Sequence, residues 1–368
     1  MPIIVIFAVV GLVYLVQKKI YQKYWNRNLE ATVAFTDHYM FEREQTTLTE
    51  TITNAKKLPL PWIHVKFQIQ RNGNVEFYRN DMFSILFYQQ ICRRIPYTFT
   101  ERGVYTIKGI DLVSYNLFIT DKLAETRHTG DTLLVYPRRI DAEEFRIPYE
   151  RMNGEIVTKR ALMEDPYMFK GIREYQPYDS FRKINFNASA RAGEWMVNTQ
   201  DPTVSQTIHI LLNMEKGTEH YEAWLYEQSI RMAASLAAQY EEDGIPVSMY
   251  CNGKDLITDT DITVPAGSSS GHVHEIFSAL ARLDITAAVD HPIAQDLEQA
   301  LKTRDPDTLY VLISPYFGKD LKDAYQELRS YISAVQWILP VSYRDMSDPD
   351  FPGRKVPEEL EDVYLWQN

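Results

Sequence analysis

Apolar and polar residues alternate along much of the first third of the chain. The alternation is clearest at residues 63–70, where four apolar side chains alternate with four polar ones. Because a strand turns successive side chains to opposite faces, this stretch predicts a half-buried β-strand. Further runs rich in β-branched and aromatic residues predict strands at 30–36, 46–53, 82–88, 95–100 and 104–113. Several short strands between residues 28 and 135 predict a β-sandwich of immunoglobulin-like type.

Beyond Val204 the periodicity changes to an alternation of strands and helices. Short apolar runs predict buried parallel strands at 207–213, 246–251, 308–314 and 334–341. Apolar residues at helical spacing predict helices near 219–242, 273–283 and 321–331, the first ending at Gly244. This order predicts a Rossmann-like α/β domain, whose sites form at the carboxyl ends of the strands.

The first sixteen residues, MPIIVIFAVVGLVYLV, contain no charged side chain. As a helix they span about 24 Å, which flanking lysines that reach the surface can extend toward the roughly 30 Å hydrocarbon layer. Tyr21, Tyr24 and Trp25 suit a membrane interface. The segment lacks the preceding positive charge and the cleavage site of a signal peptide, so we expect an uncleaved membrane anchor.

Basic residues follow the apolar segment and none precedes it; they are Lys18, Lys19, Lys23 and Arg27. The positive-inside rule therefore predicts a single-pass protein in the cell membrane with a cytoplasmic body. A buried core helix is the alternative interpretation of the segment.

The length of 368 residues favours two folded domains with shorter segments around them. We predict an anchor at 1–27, the β-sandwich at 28–135, a linking segment at 136–203, the α/β domain at 204–345 and a tail at 346–368. The net charge of -11 and the lack of a long basic run argue against nucleic acid as a partner. Cys92 and Cys251 are too few for a disulfide framework and are expected as isolated core thiols.

The linking segment contains FKGIREYQPYD at 169–179 and FRKINFNASAR at 181–191. It resembles the signature of the bacterial and archaeal family called domain of unknown function 58, which ends in Ile-x-Trp-x-x-Ser-Ala-Arg. Here Phe186 replaces the tryptophan of that ending, and Tyr178 replaces the glycine of a Gly-Asp pair. The resemblance extends over the whole chain, including Arg102-Gly103-Val104-Tyr105, and implies a von Willebrand A-like α/β domain.

The resemblance also implies partners, because similar proteins accompany MoxR-type AAA+ ATPases and transglutaminase-like proteins. It implies a non-catalytic scaffold or adaptor at the membrane that assists the assembly or maturation of a complex, without a reaction or cofactor of its own.

Basic residues outnumber acidic ones in the signature, residues 169–191. This excess favours either a docking surface for an acidic partner or an ion-pair network that holds the signature in place. We predict partner-binding roles for Lys170, Gly171, Arg173, Tyr175, Asp179, Arg182, Ser189 and Arg191.

A von Willebrand A-like domain that binds a divalent cation presents Asp-x-Ser-x-Ser after its first strand, because hard cations prefer oxygen ligands. Here residues 213–217 read NMEKG, and Ser314-Pro315 stands where Thr-Asp is common. We therefore expect a degenerate site at Asn213, Glu215, Gly217 and Ser314, and no bound Mg²⁺, because Lys216 would repel the ion.

Enzyme motifs are weak in this sequence. His272 and His274 diverge by about 200° on a helix, so they are poorly placed to share a metal ion. The loop 267–271 lacks the Gly-Lys-Ser/Thr ending of a phosphate-binding loop and is expected to cap a helix. An uncharacterised hydrolase is the leading enzyme alternative, and an outward-facing adhesion-type binding protein is a third possibility.

Overall fold

The computed structural model describes residues 2–140, 169–176, 184–200, 207–217, 223–303, 308–331, 335–341 and 364–367. The fold is mixed α/β, with an apolar N-terminal helix and several sheets. The chain divides into two compact units. Unit 1 comprises Met1–Arg138 with Phe277–Leu283, and unit 2 comprises Arg139–Ile276 with Asp284–Asn368.

Helix α1, Pro2–Tyr24, extends beyond the uncharged apolar residues and includes Lys18, Lys19 and Lys23. Its 23 residues correspond to about 35 Å, of which the uncharged part before Lys18 supplies about 24 Å toward a hydrocarbon layer of roughly 30 Å. By length and composition, Ile3–Tyr24 is the one candidate membrane span within the described part of the chain.

The C-terminal end of α1 belongs to the core of unit 1. Tyr21 and Trp25 are 1% and 5% exposed and join the hydrophobic cluster of that unit. The Tyr21 hydroxyl donates a hydrogen bond to the Pro59 carbonyl oxygen at 2.7 Å. The prediction that both rings face a membrane interface is therefore wrong. Their spacing of four residues places them on one helix face, which packs against strands, whereas Tyr24 remains exposed.

The strands of unit 1 follow α1 as β1 Leu29–Phe35, β2 Tyr39–Phe41, β3 Gln45–Asn54, β4 Leu60–Arg71, β5 Asn74–Ile85, β6 Gln89–Thr98, β7 Gly103–Tyr115 and β8 Lys122–Tyr136. They form a three-stranded sheet, β1-β3-β6, and a five-stranded sheet, β2-β8-β7-β4-β5. All pairs are antiparallel except β2 with β8.

Alternating burial confirms the period-two prediction in this unit, and the predicted strand at 63–70 lies within β4. The inward side chains of both sheets form one hydrophobic cluster, so the sheets share a core. The predicted strand at 82–88 is only partly correct, because β5 ends at Ile85 and Tyr88 lies in a turn with a φ of 52°. Cys92 is exposed, contrary to the expectation of a core thiol, whereas Cys251 is buried.

The described residues after β8 form two sheets. The elements after β8 are β9 Phe169–Glu174, α2 Phe186–Ala192, β10 Met196–Gln200, β11 Thr207–Leu212, α3 Ala223–Glu242, β12 Val247–Asp255, β13 Asp261–Gly267, α4 Ser270–Arg282, β14 Leu283–Asp284, α5 Ile293–Thr303, β15 Thr308–Ile313, α6 Lys319–Tyr331, β16 Val335–Val341 and β17 Tyr364–Gln367. The short sheet pairs β9 with β10, and the larger has the order β13-β12-β11-β15-β16-β17, with β14 beside β12.

The four predicted parallel strands are confirmed as β11, β12, β15 and β16. The antiparallel edge strand β13 was not predicted, and the tail predicted from residue 346 contains the parallel edge strand β17. Helix α3 ends as predicted, with Gly244 at a φ of 69°, which a residue without a Cβ adopts freely. Tyr331, predicted on the buried face of α6, is 61% exposed because it lies in the last turn.

Candidate functional site

The signature and the residues that follow it form a small two-stranded sheet with a helix between the strands. Strands β9 and β10 pair so that Gly171 lies opposite Thr199 and Arg173 lies opposite Val197. Lys170 also lies in β9, and the Tyr175 backbone N–H donates to the Trp195 carbonyl oxygen at 2.7 Å. The predicted partner-binding residues Asp179 and Arg182 lie outside the described residues.

Ser189 connects α2 to β10 through its hydroxyl. The hydroxyl donates to the Asn185 carbonyl oxygen at 2.8 Å and accepts from the Met196 N–H at 2.9 Å. Asn185 caps the helix, since its side-chain oxygen accepts from the Ala188 N–H at 3.0 Å, and Gly193 ends it at a φ of 77°. This part of the signature therefore builds its own scaffold, and the partner-binding role of Ser189 stays a prediction.

Large apolar side chains of the signature region are exposed. Phe186 and Trp195 are 69% and 58% exposed, and their rings meet edge to face with centroids 6.4 Å apart. Arg191 is also exposed, in the last turn of α2. Trp195 was not among the predicted site residues because it follows the family motif and belongs to no periodic pattern. We call Phe186, Arg191 and Trp195 the signature surface.

At the carboxyl ends of β11, β12 and β15, buried polar side chains form a closed network. The Asn213 amide donates to the Ser314 hydroxyl oxygen at 3.0 Å, and its carbonyl oxygen accepts from the Asn252 amide at 3.0 Å. The same Asn213 oxygen accepts from the Glu215 N–H at 3.0 Å. Asn213, Asn252 and Ser314 are fully buried. Both functions of the Asn213 amide are thus used inside the protein.

Glu215 and Lys216, the charged residues near Asn213, also make hydrogen bonds within the protein. A carboxylate oxygen of Glu215 accepts from the Ile293 N–H at 3.1 Å, at the N-terminus of α5 where a negative charge is favourable. Burial raises the pKa of Glu215, partly offset by this hydrogen bond. Lys216 donates to the carbonyl oxygens of Thr286 and Ala287 at 2.8 and 3.1 Å.

This arrangement is poorly suited to a hard divalent cation. Asn213 stands at the position predicted for the first carboxylate ligand, and its amide contributes no negative charge. The predicted site positions Asn213, Glu215 and Ser314 do lie together, and Gly217 follows in the same loop. In the described ranges, no group of three His, Cys, Asp or Glu side chains is placed to hold a metal ion. His272 instead contacts the Val247 carbonyl oxygen through its ring at 2.8 Å.

A second polar cluster surrounds His291. Its ring nitrogens lie 3.6 Å from Asp261 and 3.3 Å from Asp296, and the Tyr250 hydroxyl lies 2.8 Å from its Nε2. Burial raises the pKa values of Tyr250 and Asp296. This cluster was not predicted because its members come from β12, β13, α5 and the loop before α5.

A cleft of about 370 Å³ lies beside this cluster, between the sheet and α5. Its lining includes His209 and Ser248, whose Nδ1 and Oγ atoms are 2.7 Å apart. The distance suits a base and a nucleophile, but burial lowers the pKa of His209 to about 4. A general base works best with a pKa near the operating pH, so this imidazole is a weak base for hydrolysis at neutral pH.

Comparison with known proteins identifies one family. The model of the family described as "Protein of unknown function DUF58" matches residues 171–360, more than half of the chain. No curated protein matches.

Two solved structures show a distant similarity to part of the chain. The CARDB domain of the PF1109 protein from Pyrococcus furiosus, solved in complex with di-metal ions, is 18% identical, with a TM-score of 0.21 over 30% of this chain and 93% of that domain. The Pseudomonas fluorescens alkylpurine DNA glycosylase AlkC, bound to DNA containing an abasic site analog, is 12% identical, with a TM-score of 0.21 over 29% of this chain and 31% of the glycosylase. Similarities this weak carry no functional argument.

Proposed function

The chain belongs to the family of proteins of unknown function DUF58, and we propose that it is a membrane-anchored, non-catalytic scaffold or adaptor. In this proposal it assists the assembly or maturation of a complex with a MoxR-type AAA+ ATPase, and a transglutaminase-like protein is a further partner. Unit 1 is an immunoglobulin-like sandwich and unit 2 a von Willebrand A-like domain with a degenerate cation site.

The exposed signature surface is the observation that carries this proposal. Trp and Arg are the residue types most enriched among the side chains that dominate protein–protein binding energy. Phe186 and Trp195 expose more than half of their surface, although most of the described large apolar side chains of unit 2 are buried. We propose that a protein partner covers this exposed aromatic pair and Arg191.

The non-catalytic part of the proposal is supported by the polar groups of unit 2. The Asn213 network is satisfied internally, and the pKa of His209 lies well below neutral pH. A domain that recognises a partner without chemistry needs neither a metal ion nor a general base.

The membrane anchor is α1. Its length and apolar composition suit a single span, and the basic residues at its C-terminal end favour a cytoplasmic body. A cytoplasmic body would also place unit 2 in the compartment that contains AAA+ ATPases.

The partner surface can be tested with purified variants of the full chain and a MoxR-type ATPase captured from the same membranes. We expect Trp195→Ala, Arg191→Ala and Arg173→Ala each to weaken binding by several-fold or more, corresponding to about 1 kcal/mol or more. Tyr331→Ala removes an equally exposed aromatic side chain from α6 and is the matched control, with unchanged affinity expected.

Thermal stability measured on the same samples separates binding from folding. A lower melting temperature with normal affinity of the folded fraction would favour the ion-pair interpretation of the signature arginines. Unchanged affinity in all three signature variants would remove the signature from the interface.

A further inference from the structure

The loop between β7 and β8, residues 116–121, contacts helix α1 within its apolar part. The Tyr14 hydroxyl donates to the Thr120 hydroxyl oxygen at 3.2 Å, and the Tyr14 and Phe118 rings lie 5.9 Å apart. One helical turn further along, the Lys18 amino group pairs with the Asp121 carboxylate at 3.0 Å. All of these residues belong to unit 1.

These contacts show where along α1 the loop lies. Tyr14 precedes Lys18 by four residues, which places it about 6 Å closer to the N-terminus of α1. Lys18 is the first charged side chain of the chain and therefore marks the boundary of the uncharged helix surface. Since Phe118 lies beside Tyr14, a membrane crossed by α1 would contain Phe118 as well.

The loop combines an apolar outer surface with several internal hydrogen bonds. Leu117, Phe118 and Ile119 are 50%, 55% and 54% exposed. The Asn116 side chain is fully buried: its oxygen accepts from the Thr120 N–H at 2.9 Å, and its amide donates to the Thr120 hydroxyl at 2.8 Å. The Ile119 N–H donates to the Asn116 carbonyl oxygen at 3.0 Å. Internal hydrogen bonding of this kind is what an apolar medium requires of backbone groups.

Ile119 adopts a conformation that is unfavourable for its side chain. Its φ is 57°, a left-handed conformation that is rare and strained for a β-branched residue. Glycine or asparagine would relieve this strain, but neither would add apolar surface. An exposed isoleucine held at this position is therefore consistent with a function for the apolar side chain.

A second apolar loop lies at the same end of the five-stranded sheet. Leu86, Phe87 and Tyr88, which follow β5, are 56%, 60% and 64% exposed. The first residues of β4 pair with the last residues of β5 and of β7. The loops 86–88 and 116–121 therefore lie at the same end of the five-stranded sheet. Pro59, whose carbonyl oxygen accepts the hydrogen bond from Tyr21 of α1, immediately precedes β4 at this end of the sheet.

We propose that the loops 86–88 and 117–119 insert into the lipid bilayer beside α1, so that unit 1 is held on the membrane at three points. The occupant is lipid because the loop 117–119 contacts the apolar part of a candidate membrane span through the Tyr14–Phe118 rings, and the loop 86–88 lies at the same end of the sheet. The six side chains of the two loops carry no charge, which suits insertion. This inference rests on the proposed anchoring by α1.

Depth-dependent quenching in the full chain tests the proposal. Exposed Cys92 is replaced by Ser while buried Cys251 is kept, and single cysteines are introduced by Phe118→Cys, Leu117→Cys, Phe87→Cys or Asn74→Cys. Each is labelled with an environment-sensitive fluorophore and reconstituted in vesicles of phosphatidylcholine and phosphatidylglycerol that contain a nitroxide-labelled acyl chain. Asn74 is the control, because it is exposed at the opposite end of the same sheet.

We expect blue-shifted emission and loss of most of the fluorescence at positions 117, 118 and 87, and neither effect at position 74. Position 117 provides a second measurement in the same loop if Phe118→Cys disturbs folding. Protein that remains with the vesicles after alkaline extraction but shows no quenching at 117, 118 and 87 would overturn the loop insertion while leaving the anchor intact.

Two other outcomes have different meanings. A blue shift without lipid quenching, which disappears as the ratio of protein to lipid is lowered, would identify a second copy of the chain as the occupant and overturn the proposal. Protein that is released from the vesicles by alkaline extraction would refute the anchor itself, and the loop insertion with it.

Discussion

At the scale of single residues, the buried titratable side chains have distinct consequences. Glu50 lies in β3 with no exposed surface, and its carboxyl oxygens have no hydrogen-bond partner among the described residues. Burial raises the pKa of Glu50 to about 7, with a further contribution from Asp81 and an opposing one from Arg93. Glu50 therefore lowers the stability of the fold at neutral and alkaline pH rather than increasing it.

Replacing Glu50 by Gln should stabilise the protein in a pH-dependent way. In the unfolded chain the carboxyl ionises near its ordinary pKa of 4.5, whereas in the folded chain it stays protonated until about pH 7. The cost of Glu50 thus grows between these two values and levels off above pH 7, reaching about 1–3 kcal/mol. Melting temperatures from pH 4 to 8 should show a growing advantage of Glu50→Gln, and an equal difference at all pH values would contradict this.

Asn213 permits a second test at this scale. Asn213→Asp introduces the carboxylate of a cation site, but an ionised carboxylate cannot donate to Ser314. We expect the loss of this buried hydrogen bond to destabilise the fold by about 1–3 kcal/mol. Asn213→Ser, which removes the amide without adding charge, separates the electrostatic cost from the loss of the side chain.

Calorimetric titration of wild-type protein and Asn213→Asp with Mg²⁺ and Mn²⁺ should show no specific binding. The nearby Glu215 carboxylate already binds the N-terminus of α5, and Lys216 adds a positive charge. Micromolar binding that disappears in Glu215→Ala would demonstrate a cation site.

The proximity of Asn213 and Ser314 could be predicted from the sequence, because the carboxyl ends of neighbouring parallel strands meet at one edge of a sheet. Asn252 could not, because the apolar run that marks β12 ends at Cys251 while the strand continues to Asp255. The His209–Ser248 contact depends on sheet order and register, which one sequence does not specify.

At the scale of elements, the periodicity of apolar residues correctly predicted the strands and helices that bury one regular face. Strand β4 and the helices α4 and α6 are of this kind. Strand β13 was missed because it is a partly exposed edge strand with few apolar residues. The strand predicted at 82–88 was too long because Leu86, Phe87 and Tyr88 are apolar but lie in an exposed loop. Hydrophobicity alone does not tell a buried strand from an apolar surface loop.

Helix α1 provides the test at this scale. Tyr21→Ala removes a ring that is 1% exposed together with its hydrogen bond to Pro59, and we expect a loss of about 3–5 kcal/mol in the stability of unit 1. Tyr24→Ala, on a side chain that is 39% exposed, should change stability by less than about 0.5 kcal/mol. Thermal unfolding in detergent compares the two, and equal effects would show that the end of α1 is not part of the core.

At the scale of the whole molecule, the sequence established the family and the mixed α/β class because the signature is long and the two periodicities differ. Topology across the membrane depends on charge asymmetry, which the fold does not report. The same sheets and the same signature surface would serve a cytoplasmic scaffold or an outward-facing adhesion protein.

Protease accessibility decides between these two orientations. Protease added to intact spheroplasts should leave the body of the protein undigested, and permeabilisation should make it accessible. A cytoplasmic protein of known location serves as the control for spheroplast integrity. Digestion in intact spheroplasts would favour the adhesion-type alternative and exclude the scaffold in its proposed form.

The burial of Tyr21 and Trp25 in the core of unit 1 has a consequence for biosynthesis. A ribosome makes α1 before any strand, so an anchored helix would present these two rings at the membrane surface while β1–β8 are still being made. The strands would then assemble around side chains that already have a fixed position. A protease that cut between Trp25 and β1 would separate two core aromatic side chains from the body, so the body could not be released as an intact soluble domain.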